Sequence, residues 1–235
     1  MLAFPITASA DYVLPIAGSV NNFRTDVRIF NPTSTDSHLL LTFLPVGNVN
    51  NGSAFFNPPV RLTIPAKHEA AYNDAISTLF GASGLGAVYV ASDTTVLITA
   101  RIYAQTAAGT LGQGYQALYL GNVLTSGVLI QLRADSAFRT NIGVMNVQNA
   151  FANVTWTLYD KNNNLVSTGT TVVEPYGVIG PTSITSGFFF NAGTADLSDA
   201  HVIFTSDNAL AVYASVIDNA TTDPTYFSAM SPIGF

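Results

Sequence analysis

The chain holds three imidazoles, His38, His68 and His201. No HxxxH or HxH spacing brings two of them onto one helix or strand face, so they read as surface or strand histidines and not as a metal set. Serine is plentiful, but no GxSxG elbow occurs. Gly81-Ala82-Ser83-Gly84 lacks the strand-to-helix context that exposes a nucleophile. The glycine-rich stretches GASGLG (81–86) and GTLGQG (109–114) end in no Lys-Thr pair and open no long helix, so phosphate cradling is not expected. Fourteen acids are scattered over turns, without the defined carboxylate pair that glycoside hydrolysis needs. The residues point away from an enzyme.

Oxygen ligands are the remaining ion chemistry. Asp160-Lys161-Asn162-Asn163-Asn164 begins like a calcium loop, but Leu165 stands at the turn glycine and Thr171 at the closing glutamate. A hairpin turn between TWTLYD and LVSTGTT explains it better. In DNATTD, Asp218, Asn219 and Asp223 are the calcium candidate. For sugar stacking the candidates are Tyr115, Tyr119 and Phe188-Phe189-Phe190, with core packing and an interdomain contact as the plainer explanations.

The elements that would position these residues come in two sets. FRTDVRIFN (23–31) returns as FRTNIGVMN (138–146), 115 positions later. At the same offset LLLTFLP (39–45) falls on VTWTLYD (154–160), and DYVLPIAG (11–18) on SGVLIQLR (126–133). Pro65 meets Pro175 after an offset change. AVYVASDTTVLITARIYAQT (87–106) then lies on DAHVIFTSDNALAVYASVID (199–218), with Ser92-Asp93 and Ser206-Asp207 as matching turns. Order is kept, so the chain is a tandem duplication, each copy the length of a small β-sandwich.

Strand signals dominate both copies: Val27–Phe30, Leu39–Leu44, Ala87–Val90 and Val96–Tyr103, then Ile142–Met145, Val154–Tyr159, His201–Phe204 and Leu210–Ile217. Asn31–Ser34, Gly47–Gly52, Asp160–Asn164 and Asp218–Pro224 supply turns. Asn73–Phe80 reads as one short helix, capped by Asn73 or Asp74 and ended by Gly81. The expected fold is all-β, two tandem antiparallel Ig-like or jelly-roll-like sandwiches. Residues 1–10 are a tail or extra strand, 11–124 the first copy and 125–235 the second, with a short joint near 121–127.

Phe23, Arg24, Thr25 and Asn31, with Phe138, Arg139, Thr140 and Asn146, form the repeat signature. Thr25, Val27 and Ile29 share one strand face, as do Thr140, Ile142 and Val144. Phe23 and Phe138 are placed to close a sandwich end. The two arginines are read as bonded to loop carbonyls or a carboxylate such as Asp26, in preference to an anion or sugar site.

Charged residues make up only 9% of the chain against a usual ~25%, and the net charge is −6. Nucleic acid and anionic membrane lack a basic footprint, and no apolar run reaches the ~20 residues of a membrane helix. There is no cysteine. Ala8-Ser9-Ala10 has the form of a signal-peptidase site, but without a basic n-region the start reads as an ordinary strand.

The runs FRTDVRIFNP, TFLP, ISTLFGASGLGAVYV, ITARIYAQTAAGTLGQ, FRTNIGVMN and YASVIDNATTDPTY resemble a paired β-sandwich region of bacterial exported proteins, which there often follows modules such as proteases. The likeness spans residues 11 to 228; the second copy lacks GASGLG and carries FFFNAGTADLS in that region. It implies an extracytoplasmic accessory or surface role and brings no catalytic residue. The expected function is a structural or interaction module with protein partners or self-association, including a filament subunit that adds residues 1–10 to a neighbour's sheet. A carbohydrate-binding module is the alternative.

Overall fold

The structure is a computed structural model that describes residues 10–47, 59–185 and 192–231. It is all-β, with two antiparallel sandwiches in tandem. The first contains β1 (Ala10–Ser19), β2 (Phe23–Phe30), β3 (Ser37–Pro45), β4 (Val60–Ile64), β5 (Glu69–Tyr72), helix α1 (Ala75–Phe80), β6 (Gly84–Ser92), β7 (Leu97–Thr106), β8 (Gly109–Gln116) and β9 (Leu118–Tyr119). After a single 3₁₀ turn come β10 (Leu124–Ala134), β11 (Phe138–Asn146), β12 (Ala152–Tyr159), β13 (Leu165–Val173), β14 (Val178–Ser183), β15 (Leu197–Asp218) and β16 (Pro224–Ser228).

The first copy pairs its strands as β4-β3-β6-β1-β9 and β5-β2-β7-β8. The second repeats this as β13-β12-β15-β10 and β14-β11-β15-β16. One long strand does the work of two: the start of β15 pairs with β10 and β12, and its end with β11 and β16. The turn expected at Ser206-Asp207 is therefore a point where one strand passes between sheets, as at the corners of other sandwiches. The register shift between Leu14 and Ala17 in β1 recurs between Leu129 and Leu132 in β10, so the bulge was duplicated with the strand.

Alternation places the cores. In β12, Ala152, Val154, Trp156 and Leu158 are buried and pack with Phe204 and Leu132; in β2, Thr25, Val27 and Ile29 point inward as expected. The helix ends at Gly81, whose left-handed backbone lets its N–H reach the Ser77 carbonyl. Asp74 precedes it without a side-chain cap; its carboxylate instead pairs with Arg24 at 3.2 Å.

The repeat signature works because a sandwich corner leaves backbone groups unpaired inside. Thr25 Oγ1 accepts from Gly18 N at 2.8 Å and donates to Gly18 O at 3.0 Å. Thr140 makes the same two bonds to Arg133, at 3.0 and 2.7 Å. Asn31 Nδ2 donates to the carbonyls of Thr35 and Ile64 at 2.8 and 2.9 Å and of Pro65 at 3.3 Å; its Oδ1 accepts from Thr33 N. Asn146 repeats the pattern on Ala150, Val173, Glu174 and Gln148. Pro65 thus corresponds to Glu174 and not to Pro175, a correction of one residue in the sequence alignment. All four side chains are fully buried, so these bonds replace water where water is absent.

Replacing Asn31 by alanine leaves those carbonyls unpaired and is expected to cost roughly 2–4 kcal/mol in urea denaturation. Asn31→Asp, which cannot donate through its side chain when ionised, is expected to cost at least as much. An aspartate variant as stable as wild type would show that the donated bonds contribute nothing.

Candidate functional site at the seam between the copies

On the outer face of β2 and β7, Asp26 lies opposite Arg101, Arg28 opposite Thr99 and Arg24 opposite Tyr103. At the equivalent pairs of β11 and β15 stand Asn141 and Ser215, Gly143 and Tyr213, Arg139 and Ile217. One face is charged and the other nearly uncharged, because the second is covered by the first copy. Tyr213 belongs to the first copy's core, with Ile16, Ala17 and Tyr115. Its ring occupies the space a Cβ would need on Gly143, 2.3 Å away.

The reverse divergence appears on the first copy. Leu44 and Ala87 are paired and buried against Met145, Val178 and Ala211; their counterparts, Tyr159 and His201, stack on each other at 4.8 Å. Strand β1 is accordingly buried on both faces: Tyr12 and Leu14 serve its own core, and Val13 serves the seam.

Tyr115 and Tyr226 stack across the seam at 4.9 Å, and Tyr226 on Tyr213 at 5.7 Å. Burial pushes all three phenols above their ordinary range, so they stay neutral. Gln113 donates to Ser215 Oγ at 2.7 Å, and both are buried. Gly112 N donates to Asp223 Oδ1 at the rim. Beside them lies a cavity of about 180 Å³, lined by Ile16, Phe23, Leu85, Ile102 and Leu111 from one copy and by Pro181, Ile217 and Pro224 from the other. It falls below the ~300–1,000 Å³ of small-molecule sites and is a gap in an interface rather than a sugar pocket.

The open counterpart is a shallow depression rimmed by Asp26, Arg28, Thr99, Arg101 and Gln116, with Ala100, Gly114 and Tyr115 among its lining. Arg28 donates to Asn73 Oδ1 at 2.9 Å and Arg101 to Thr110 Oγ1 at 2.8 Å. Asp26 Oδ1 accepts from Asp74 N at 3.0 Å and from Tyr103 OH at 3.4 Å.

The residues singled out in the sequence have these places. Asp218 Oδ1 accepts from Ala220 N and Thr221 N at 2.7 and 2.8 Å, closing its own turn. Asn219 Oδ1 accepts from Arg139, and its Nδ2 donates to the Asp135 and Ser136 carbonyls. Asp223 Oδ1 accepts from Gly112 N, so one oxygen of each candidate ligand serves the turn or the seam; among the described residues no cluster of three or more His, Cys, Asp or Glu is set to hold a metal. Asp160 likewise binds Asn162 N and Asn164 N in the hairpin turn expected there.

Arg24 reaches the Asn21 and Phe23 carbonyls, but its acid is Asp74 and not Asp26. Phe23 is 41% exposed and so does not close the sandwich end, whereas Phe138 lies 3.8 Å beneath the Arg133 guanidinium. Tyr115 is buried and bonded to the Ile16 carbonyl, not displayed for a ligand. Tyr119 is 45% exposed, its ring 5.8 Å from Tyr12. Phe188–Phe190 lie outside the described residues. His38 meets Asp93 at 2.8 Å, and His68 Nδ1 lies 2.7 Å from the Ala66 carbonyl.

Sequence reasoning missed one pair of clamps. Asp93 accepts from His38 N and Asp207 from Asn153 N, at 2.8 and 2.7 Å. The matched Ser-Asp dipeptides were visible; their partners, 55 and 54 residues earlier, carry no local signal.

No protein-family model and no curated protein sequence matches the chain. Among solved structures, that of Thermotoga maritima 1070 is 11% identical with a TM-score of 0.36, covering 48% of this chain and 99% of that one. A glycosyl hydrolase family 2 member from Bacteroides cellulosilyticus is 10% identical with a TM-score of 0.20, over 93% of this chain and 27% of that one. A Ruminococcus gnavus β-glucuronidase is 9% identical with a TM-score of 0.19, over 93% and 33%. The chain spans a third or less of these two glycosidases, and likenesses this slight carry no argument about activity.

Two expectations arise at the site. Ser215→Arg restores the first copy's residue beneath the seam and buries an unpaired charge, at a cost of about 3–5 kcal/mol in urea denaturation; an unchanged midpoint would mean the seam is open. Asp160, Asp196, Asp207 and Asp218 are held below the usual carboxylate range, each by hydrogen bonds to its charged form, first among them Asn164, Lys161, Asn153 and Thr221 N respectively. Asp196 falls to about 2. Depressed values stabilise the fold above the unfolded carboxylate pKa, so stability should fall as pH drops from about 4 toward 2. Asp207→Asn should reduce that dependence.

Proposed function

We propose that this chain is a non-enzymatic structural or interaction module that acts outside the cytoplasm through protein contacts, including self-association. The carrying observation is how the polar side chains are used. In both copies Thr25, Asn31, Thr140, Asn146, Asp93 and Asp207 satisfy backbone groups of the scaffold, and the seam holds the copies together. The charge-poor composition and the resemblance to paired sandwiches of bacterial exported proteins support the exported location.

A filament built by adding residues 1–10 to a neighbour's sheet edge is the specific version of this reading. Residues 1–9 lie outside the described residues; Ala10 is already the first residue of β1, opposite Ser92. Carbohydrate binding is the second reading, favoured by the open face of Asp26, Arg28, Arg101 and Gln116, where Gly114 of β8 carries no side chain to cover its neighbours.

Light scattering and negative-stain electron microscopy, with and without residues 1–9, test the first reading. Assemblies lost on truncation support strand addition, and assemblies that survive exclude that route. A glycan screen with Arg101→Ala as control tests the second: saturable binding lost in the variant would favour the carbohydrate module.

A further inference from the structure

Sheet edges are templates for another strand unless something blocks them. Most free edges here are blocked. β4 is five residues long and carries Arg61, β5 is four residues with Glu69, and β9 has two residues. β14 contains Pro181 and β16 begins with Pro224. β8 lies against the second copy, where Gly112 bonds Asp223, and β10 is bulged and bridged to Met230.

β13 differs. Among the described residues it pairs with β12 alone. Its only register shift lies near Leu165, and from Ser167 to Val173 it runs in step with β12. Those seven residues, STGTTVV, contain no charge and no proline. The solvent face carries Thr168, Thr170 and Val172, all exposed, a β-branched surface suited to cross-strand packing.

We infer that β13 pairs with β13 of a second copy, antiparallel about a two-fold axis at Thr170, joining two sheets edge to edge. The inference deepens the self-association reading and rests on it. The residues fit the symmetry. Thr170 meets its own copy on the axis, Thr168 meets Val172 in both directions, and Gly169 meets Thr171. Each outward pair is β-branched on β-branched, and the one flanking charge, Glu174, falls opposite Val166, so no like charges face each other. A self-complementary patch is what a closed two-fold interface requires.

The chain has no cysteine, which makes cross-linking a clean test. In an antiparallel pair, opposite Cα atoms lie ~4.5–5.5 Å apart, within disulfide range. Thr170→Cys is expected to oxidise rapidly to a covalent dimer, while Thr63→Cys, exposed on the blocked edge β4, is not. Thr170→Lys places two ammonium groups on the axis and should weaken dimerisation in light scattering about tenfold. Pairing through β13 should persist when residues 1–9 are removed. A wild-type chain that stays monomeric at high micromolar concentration overturns the inference. Self-association with equal cross-linking at 170 and 63 also overturns it, while leaving the self-association reading intact.

Discussion

The constraint on which the arrangement rests is the burial of Tyr213. A tyrosine on the outer face of one sandwich fills the core of the other, and its phenol must remain neutral there. That placement needs glycine at 143, a small hydroxyl at 215 and no charge at 141. At the equivalent positions the first copy has Arg28, Arg101 and Asp26. Two copies of one sequence cannot pack this way while they are identical; the seam exists because their outer faces diverged.

Beneath the divergence the scaffold is conservative in a physical sense. Each sandwich has a corner where a bulged strand and a left-handed turn leave carbonyls and amides facing inward, and each solves it with a buried threonine and a buried asparagine. The turn residues Lys67 and Tyr176, with φ of 63° and 54°, share that geometry though their side chains have nothing in common. Backbone satisfaction fixed the type of residue where the side chain bonds, and left it free where only the turn mattered.

This explains what was legible in the sequence. The duplicated Thr and Asn stand out because their hydrogen bonds demand those chemistries. The strands follow from alternation, and Gly81 from its left-handed helix end. Core packing and an interdomain contact, the plainer explanations for Tyr115, are what the structure shows, whereas the closure at Phe23 was misjudged, since it depends on where the second copy docks. One local signal of the seam was present: YVLPIAG in β1 is apolar without alternation, as a strand buried on both faces should be, whereas its counterpart GVLIQLR carries Gln131 and Arg133. The partners of Asp93 and Asp207 depend on strand pairing across more than fifty residues, which no local pattern encodes.

The seam couples the two copies, which are not independent beads. Trp156, the only tryptophan, is fully buried in the second copy's core, so its fluorescence reports on that copy, while far-UV circular dichroism reports on both. Urea unfolding followed by the two signals tests this coupling. Coincident midpoints and slopes are predicted, with both copies unfolding in one transition; a tryptophan transition separated from the circular dichroism curve would contradict it.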